Sequence, residues 1–169
     1  MILINLYGGP GTGKSTTATG LFSQMKLQGF KCEYVSEYAK DVVWDRSFDL
    51  LHNQLLIFAN QYHRIQRLES HGVDYVITDS PLLLSLNYMP ENYFASFKGL
   101  VKEAYQSFNN FDVFLNRVKP YQPIGRRHAE ESAKDMDRTI HDILLEHVPT
   151  FHNVEADFHA ASTIFKILR

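Results

Sequence analysis

A single cysteine, Cys32, stands in a chain of 169 residues. One thiol excludes an internal disulfide framework and any zinc site built from several cysteines. Net charge is nearly absent too: 17 Lys and Arg against 19 Asp and Glu leave −2 at pH 7. No global field of either sign therefore draws the chain onto nucleic acid or an anionic membrane. Apolar runs are a handful of residues long, far short of the roughly 20 that cross a bilayer. Met1-Ile2-Leu3-Ile4-Asn5 has neither a basic start nor a full apolar stretch, so no secretion signal is expected there. Internal repeats, low-complexity tracts and Gly/Ser-rich linkers are missing as well. What is left, 44% hydrophobic and 21% charged, is the composition expected of one globular domain over residues 1–169 in a reducing, cytoplasmic compartment.

What is present is an alternation of short β-prone runs with longer stretches of helical period. Ile2 to Tyr7, Cys32 to Ser36, Val73 to Thr78, Phe111 to Val118 and Phe151 to Ala156 read as five strands. Between them, Thr16 to Gln28 reads as a helix closed by Gly29, and Leu51, Leu55, Phe58, Tyr62 and Ile65 mark one over roughly 49–70. Further helices are expected through Phe94–Phe108, through Met136–His147 before Pro149, and from Phe158 to Leu168 with Asp157 as cap. Strands alternating with helices predict an α/β fold, a parallel sheet flanked by helices on both faces. Such sheets bind ligands outside the carboxyl ends of their strands. The residues that follow each strand therefore decide the function.

After the first strand stand Gly8-Gly9-Pro10-Gly11-Thr12-Gly13-Lys14-Ser15-Thr16, which satisfy G-x-x-x-x-G-K-[ST]. Glycines let the backbone wrap an anion with its N–H groups turned inward, and the helix that follows adds its positive end. Lys14 is placed to reach the β and γ phosphates of a nucleotide, and the Ser15 hydroxyl to hold Mg²⁺. A glycine-rich turn with an incidental lysine satisfies the same pattern, but the strand before it and the helix after it are the context the phosphate-binding reading requires.

Two carboxylates follow strands. Asp79 closes the third strand, where it is positioned to hold Mg²⁺ or take a proton, although Asp-Ser-Pro is also ordinary turn chemistry. Glu37 follows the second strand and faces two readings, a base for an acceptor hydroxyl or a solvated first-turn glutamate capped by Ser36. The stretch from Arg117 to His128 carries four Lys or Arg, two interior prolines and a glycine, and no acid. It predicts a basic lid over about 118–130, with Arg117, Arg126 and Arg127, joined by Arg138, closing on a transferring phosphoryl group. Gln54 and Gln61 lie seven apart beside an apolar helical stripe, as pocket lining or as boundary positions. Eight histidines are scattered without metal-ligand spacing, so no histidine metal site is expected.

Other phosphate-loop classes fit poorly. No Asn-Lys-x-Asp is present to read guanine, Asp79-Ser80-Pro81-Leu82 lacks the glycine of a GTPase switch, and Asp79 has no acidic neighbour of the kind motor ATPases carry. Gly8 to Ser15, Glu37-Tyr38-Ala39-Lys40, Gln54, Gln61 and Thr78-Asp79-Ser80-Pro81 together resemble the P-loop nucleoside/nucleotide-kinase-like group of AAA-type ATPase or kinase domains. That group includes the ribosylnicotinamide kinase domain of the bacterial NAD-biosynthesis regulator and many phage proteins. The resemblance implies a P-loop NTPase fold with a five-stranded parallel sheet and a short arginine lid, ATP with Mg²⁺, a nucleoside-like acceptor, and a bacterial or phage-infected cytoplasm. By analogy with deoxynucleoside kinases it also implies Glu37 as base and a helix glutamine against the acceptor's ring. Those enzymes have Glu-Arg-Ser after strand three where this chain has Asp79-Ser80-Pro81, so the arginine that holds their acceptor is missing.

The sequence thus predicts ATP-dependent phosphoryl transfer to a nucleoside-like or nucleotide acceptor. A monophosphate acceptor would call for Arg46 or Arg64 facing the loop. A hydroxymethylated base in DNA, disfavoured by the acidic net charge, and an acceptor-independent ATPase or nucleotide switch remain as rivals.

Overall fold

A computed structural model describes residues 1–118 and 130–169. Its strands are β1 (Ile2–Tyr7), β2 (Cys32–Val35), β3 (Tyr75–Thr78), β4 (Asn109–Asn116) and β5 (His152–Glu155). They form one sheet in the order β2-β3-β1-β4-β5, and every neighbouring pair is parallel. The helices are α1 (Lys14–Leu27), α2 (Tyr38–Trp44), α3 (Gln54–Gln66), α4 (Leu84–Tyr88), α5 (Phe97–Gln106), α6 (Glu130–His147) and α7 (Ala160–Ile167). The five-stranded parallel sheet and its flanking helices are those of the P-loop NTPase fold. Among the described residues no helix is long and apolar enough to cross a membrane.

β1 explains the layering. It is hydrogen-bonded on both sides, to β3 and to β4, and its side chains alternate between two cores. Leu3 and Tyr7 pack on one face with Val76, Phe114, and Phe58, Val101 and Ile140 from α3, α5 and α6. Ile4 and Leu6 pack on the other with Ile77, Val113, and Leu21 and Ile164 from α1 and α7. A strand buried on both faces needs a continuous apolar run, which Ile2–Tyr7 supplies except at Asn5.

Asn5 is fully buried, and its side-chain amide donates to Asp112 Oδ1 (3.0 Å) and Asn110 Oδ1 (2.9 Å) on the adjacent strand. Tyr105 of α5 donates its hydroxyl to Asp112 Oδ2 (2.7 Å), so one carboxylate joins β1, β4 and α5. Burial pushes the Asp112 carboxyl above the usual carboxylate range, and the hydrogen bonds it accepts only partly offset this.

Boundaries depart from the sequence expectation where side chains compete with the backbone. The helix expected over 49–70 is three pieces: a 3-10 turn (Phe48–His52), α3, and a second 3-10 turn (Glu69–His71). Asn53 causes the first break, because its side chain accepts from Leu56 N (3.1 Å) and caps α3. α1 begins two residues early, at Lys14, since Gly13 in the left-handed region (φ 109°) turns the chain into the helix. β4 runs from Asn109 rather than Phe111, in register with β1 from Ile2. The helix expected from Phe94 begins at Phe97. Asp157 accepts from His159 N (2.7 Å), in the turn ahead of α7. α2 and α4, both short, had no periodic signal long enough to read. Of the expected lid, residues 119–129 lie outside the described residues.

Because the Asp112 carboxyl is raised on folding, the stability it confers is complete at low pH and is lost as pH climbs through its folded value. Asp112→Asn, which keeps an acceptor for the Asn5 amide and offers its own NH2 to the Tyr105 hydroxyl oxygen, is expected to raise the urea midpoint at neutral pH and to flatten its decline as pH rises.

Candidate active site

The carboxyl ends of β1, β2, β3 and β4 lead into residues 8–13, Glu37, Asp79 and Arg117 respectively. The loop after β1 depends on glycine at specific points. Gly8, Gly11 and Gly13 have φ of 140°, 80° and 109°, a region L side chains rarely occupy. A Cβ at Gly8 would also lie 2.8 Å from the Thr12 hydroxyl, which donates to Gly9 O (2.9 Å) and holds the loop closed from inside. α1 starts directly on this turn, with Thr17 N donating to Gly13 O (2.9 Å). Thr16 is exposed at the start of the helix.

Lys14 folds back over the loop and donates to Gly8 O (2.7 Å) and Gly9 O (3.1 Å). Burial lowers its pKa, and the neighbouring carboxylates Glu37, Asp79 and Asp137 oppose that fall. Ser15 donates its hydroxyl to Asp79 Oδ2 (2.5 Å), tying the phosphate loop to the end of β3. Tyr34 of β2 donates to the same oxygen (2.9 Å). Burial and the Asp79 charge push the Tyr34 hydroxyl upward, so it stays a donor. The other oxygen, Asp79 Oδ1, is buried with no hydrogen-bond partner. A free carboxylate oxygen beside a serine hydroxyl is a hard, oxygen-only donor set, and it fits Mg²⁺.

Glu37 is the N-cap of α2, yet its carboxylate makes no capping hydrogen bond. Burial raises its pKa first, Lys14 pulls it down, and Asp79 raises it again. It is therefore neither capped by Ser36 nor dispersed into solvent, and it shares the field of Lys14 and Asp79. The two glutamines sit deeper than a pocket wall. Gln54 is 6% exposed and donates to Leu51 O (2.8 Å). Gln61 is 4% exposed, accepts from Tyr38 N (3.0 Å) and donates to the Thr78 hydroxyl (3.2 Å).

Arg117 comes to the loop from the end of β4. Its Nε donates to Asp137 Oδ2 (2.8 Å), its Nη2 donates to Pro10 O (2.9 Å), and its Nη1 is buried without a partner. The other oxygen of Asp137 accepts from Gly9 N at 2.6 Å. A Cβ at Gly9 would lie 2.6 Å from that carboxylate and 2.7 Å from Ala133 O, so only glycine lets α6 come this close. Arg138 is exposed, pairs with Asp135 one turn back, and borders a recess with Phe114, Asp137, His141 and Asp142. Arg126 and Arg127 lie outside the described residues. Lys14, Ser15, Glu37, Asp79 and Arg117 thus gather around one loop; Gln54 and Gln61 are bonded to neighbouring segments and Arg138 to Asp135.

Tyr34 and Asp137 escaped the sequence reading. Tyr34 sits inside a strand where any aromatic suits the β pattern. Asp137 meets Gly9 across 128 positions of sequence, and no local spacing signals that contact.

A family model described as an AAA domain matches residues 3–160. No curated protein matches the chain by sequence. Among solved structures, the NadR protein in complex with NR is similar over 97% of this chain and 50% of its own, at 16% identity and a TM-score of 0.72. The NadR protein in complex with NAD and AMP-PNP is similar over 97% of this chain and 48% of its own, at 14% identity and a TM-score of 0.72. The chain thus spans about half the length of those proteins.

The Asp137 carboxylate holds an amide of the loop that an anion would otherwise take. Asp137→Ala is expected to bind inorganic tripolyphosphate about tenfold more tightly by calorimetry, the worth of one charge-assisted hydrogen bond of roughly 1.5 kcal/mol. Equal or weaker binding would mean that Asp137 supports the anion site through Arg117 instead of competing for it.

Proposed function

The chain belongs to the AAA domain family, and from that premise we propose that it is a Mg-ATP-dependent kinase acting on a hydroxyl of a nucleoside-like small molecule. The observation that carries this reading is Glu37, a carboxylate left free by the helix it caps and held in the field of Lys14 and Asp79. In a hydrolase the same carboxylate would orient water, and the product of the acceptor screen below separates the two readings. The solved NadR structures, with NR and with NAD and AMP-PNP, contain ligands of the same chemical class, which supports the choice of acceptor.

In this mechanism the loop amides, Lys14 and Arg117 hold and neutralise the phosphates of ATP. Ser15 and Asp79 would hold Mg²⁺, which when bound neutralises phosphate charge. The Glu37 carboxylate accepts the proton of the acceptor hydroxyl as its oxygen bonds to the γ-phosphorus. The bond from that phosphorus to the β–γ bridging oxygen breaks, and ADP leaves with the electron pair. Arg126 and Arg127 are assigned to the closing lid on sequence grounds alone.

A free-hydroxyl acceptor is preferred to a monophosphate because of what Arg64 does. Its guanidinium pairs with Asp41 (2.5 Å) and lies 5.0 Å from the Tyr38 ring, leaving it committed to α2. The setting proposed is the cytoplasm of a bacterium or of a phage-infected cell.

Lys14→Ala is expected to abolish ADP release with Mg-ATP while far-UV circular dichroism and the urea midpoint stay near wild type. Glu37→Gln is expected to lower kcat by about 10²–10⁴, the usual worth of a general base. The base acts only when ionised and its pKa is raised, so the acid limb of the pH–rate profile should lie above the ordinary glutamate range and disappear in Glu37→Gln. The decisive assay is a screen of nucleosides, nucleoside monophosphates and nicotinamide riboside, read by ADP release and by mass of the product. Steady hydrolysis without any phosphorylated acceptor would overturn the kinase reading.

A further inference from the structure

Gln61 has both ends of its amide engaged, and each partner adjoins a different carboxylate of the site. Its carbonyl oxygen accepts from Tyr38 N, the backbone donor immediately after Glu37. Its Nε2 donates to the Thr78 hydroxyl, immediately before Asp79. The same hydroxyl accepts from Ser80 N (3.1 Å), so it also closes the turn that carries Asp79. Tyr38 N is the first of the unsatisfied donors that open every helix, and the Gln61 oxygen satisfies it. Thr78 is fully buried and Gln61 nearly so, so the bond between them is desolvated, while the bond to Tyr38 N is part-buried.

From this juxtaposition we propose that Gln61 is a positioning residue, a strut from α3 that sets Glu37 and Asp79 at a fixed separation beyond the carboxyl ends of the paired strands β2 and β3. The Gln61 oxygen satisfies the helix donor, and the glutamate carboxylate remains available to an acceptor. This rests on the kinase reading, in which Glu37 orients the acceptor and Asp79 faces the phosphates. It differs from a glutamine that touches the acceptor, because both amide ends are already bonded to neighbouring segments and the side chain is almost wholly buried.

Three single variants, one double variant and two readouts test it. Gln61→Met keeps the length and removes both hydrogen bonds, Thr78→Val removes the shared hydroxyl, and Thr78→Ser restores it. Amide exchange followed by NMR reads the strut without any acceptor: the Tyr38 amide is expected to exchange faster in Gln61→Met while amides of β3 and of the middle of α3 keep their protection. With Mg-ATP and the nucleoside phosphorylated fastest by the wild type, kcat is expected to fall about 10- to 100-fold in Gln61→Met and in Thr78→Val, with KM for ATP unchanged, as for a misplaced reacting group. Thr78→Ser should recover most of the rate, and the Gln61→Met/Thr78→Val double variant should lose little more than either single one, since both cut the same link. Unchanged Tyr38 exchange, wild-type kcat in the folded single variants, or losses that multiply in the double variant would each overturn the strut. A rise in acceptor KM with kcat intact would instead make Gln61 a contact residue. Wild-type turnover in Glu37→Gln would overturn the kinase mechanism, and the exchange experiment would still judge the strut alone.

Discussion

β1 is the constraint from which the rest of the molecule follows. It is the central strand of the five, hydrogen-bonded on both sides and buried on both faces for most of its length. A strand in that position must end where the sheet ends, so the loop after it emerges at the centre of the carboxyl edge. β3 on one side and β4 on the other then deliver Asp79 and Arg117 to the same loop, and β2 beyond β3 delivers Tyr34 and Glu37. The convergence of those groups comes from parallel pairing, in which every strand exits on the same side.

The charges at that edge are arranged so that none is left isolated in a low-dielectric setting. Lys14 lies in the field of three carboxylates, Glu37, Asp79 and Asp137, and its pKa still falls, because burial outweighs their attraction. Asp79 accepts two hydroxyl hydrogen bonds on one oxygen and none on the other. Arg117 has one nitrogen on a carboxylate, one on a carbonyl and one without a partner. Unmatched polar atoms at a buried edge are costly, and Asp79 Oδ1 and Arg117 Nη1 are two of them at the anion loop, while Asn5 Oδ1 and the Tyr7 hydroxyl are unmatched in the core beneath it. The Asn5–Asp112–Tyr105 group shows the contrasting solution, in which Asp112 is bonded on both oxygens and serves to join elements.

Much of this was legible from residue order. The β-α alternation, the position of all five strands to within about two residues, and the glycine-rich loop with Lys14 and Ser15 all follow from local pattern, because a buried strand and an anion loop impose their demands on consecutive residues. The element boundaries that escaped are those set by a side chain bonding the backbone, as at Asn53, or by helices too short to show a period, as with α2 and α4. Gln61 is the instructive case. Its place on the apolar stripe of a helix was visible, but whether it faces a ligand or ties two neighbouring segments together depends on what packs against that stripe.

The sequence by itself determined the class of fold and the presence of a phosphate loop, since both are written in short-range spacing. Only the tertiary structure decided that Asp137 meets Gly9, that Tyr34 shares Asp79 with Ser15, and that Gln61 links the segments bearing Glu37 and Asp79. Those contacts join residues 17 to 128 positions apart. No local rule reaches that far, because sheet order and helix docking bring such residues together after the chain has folded.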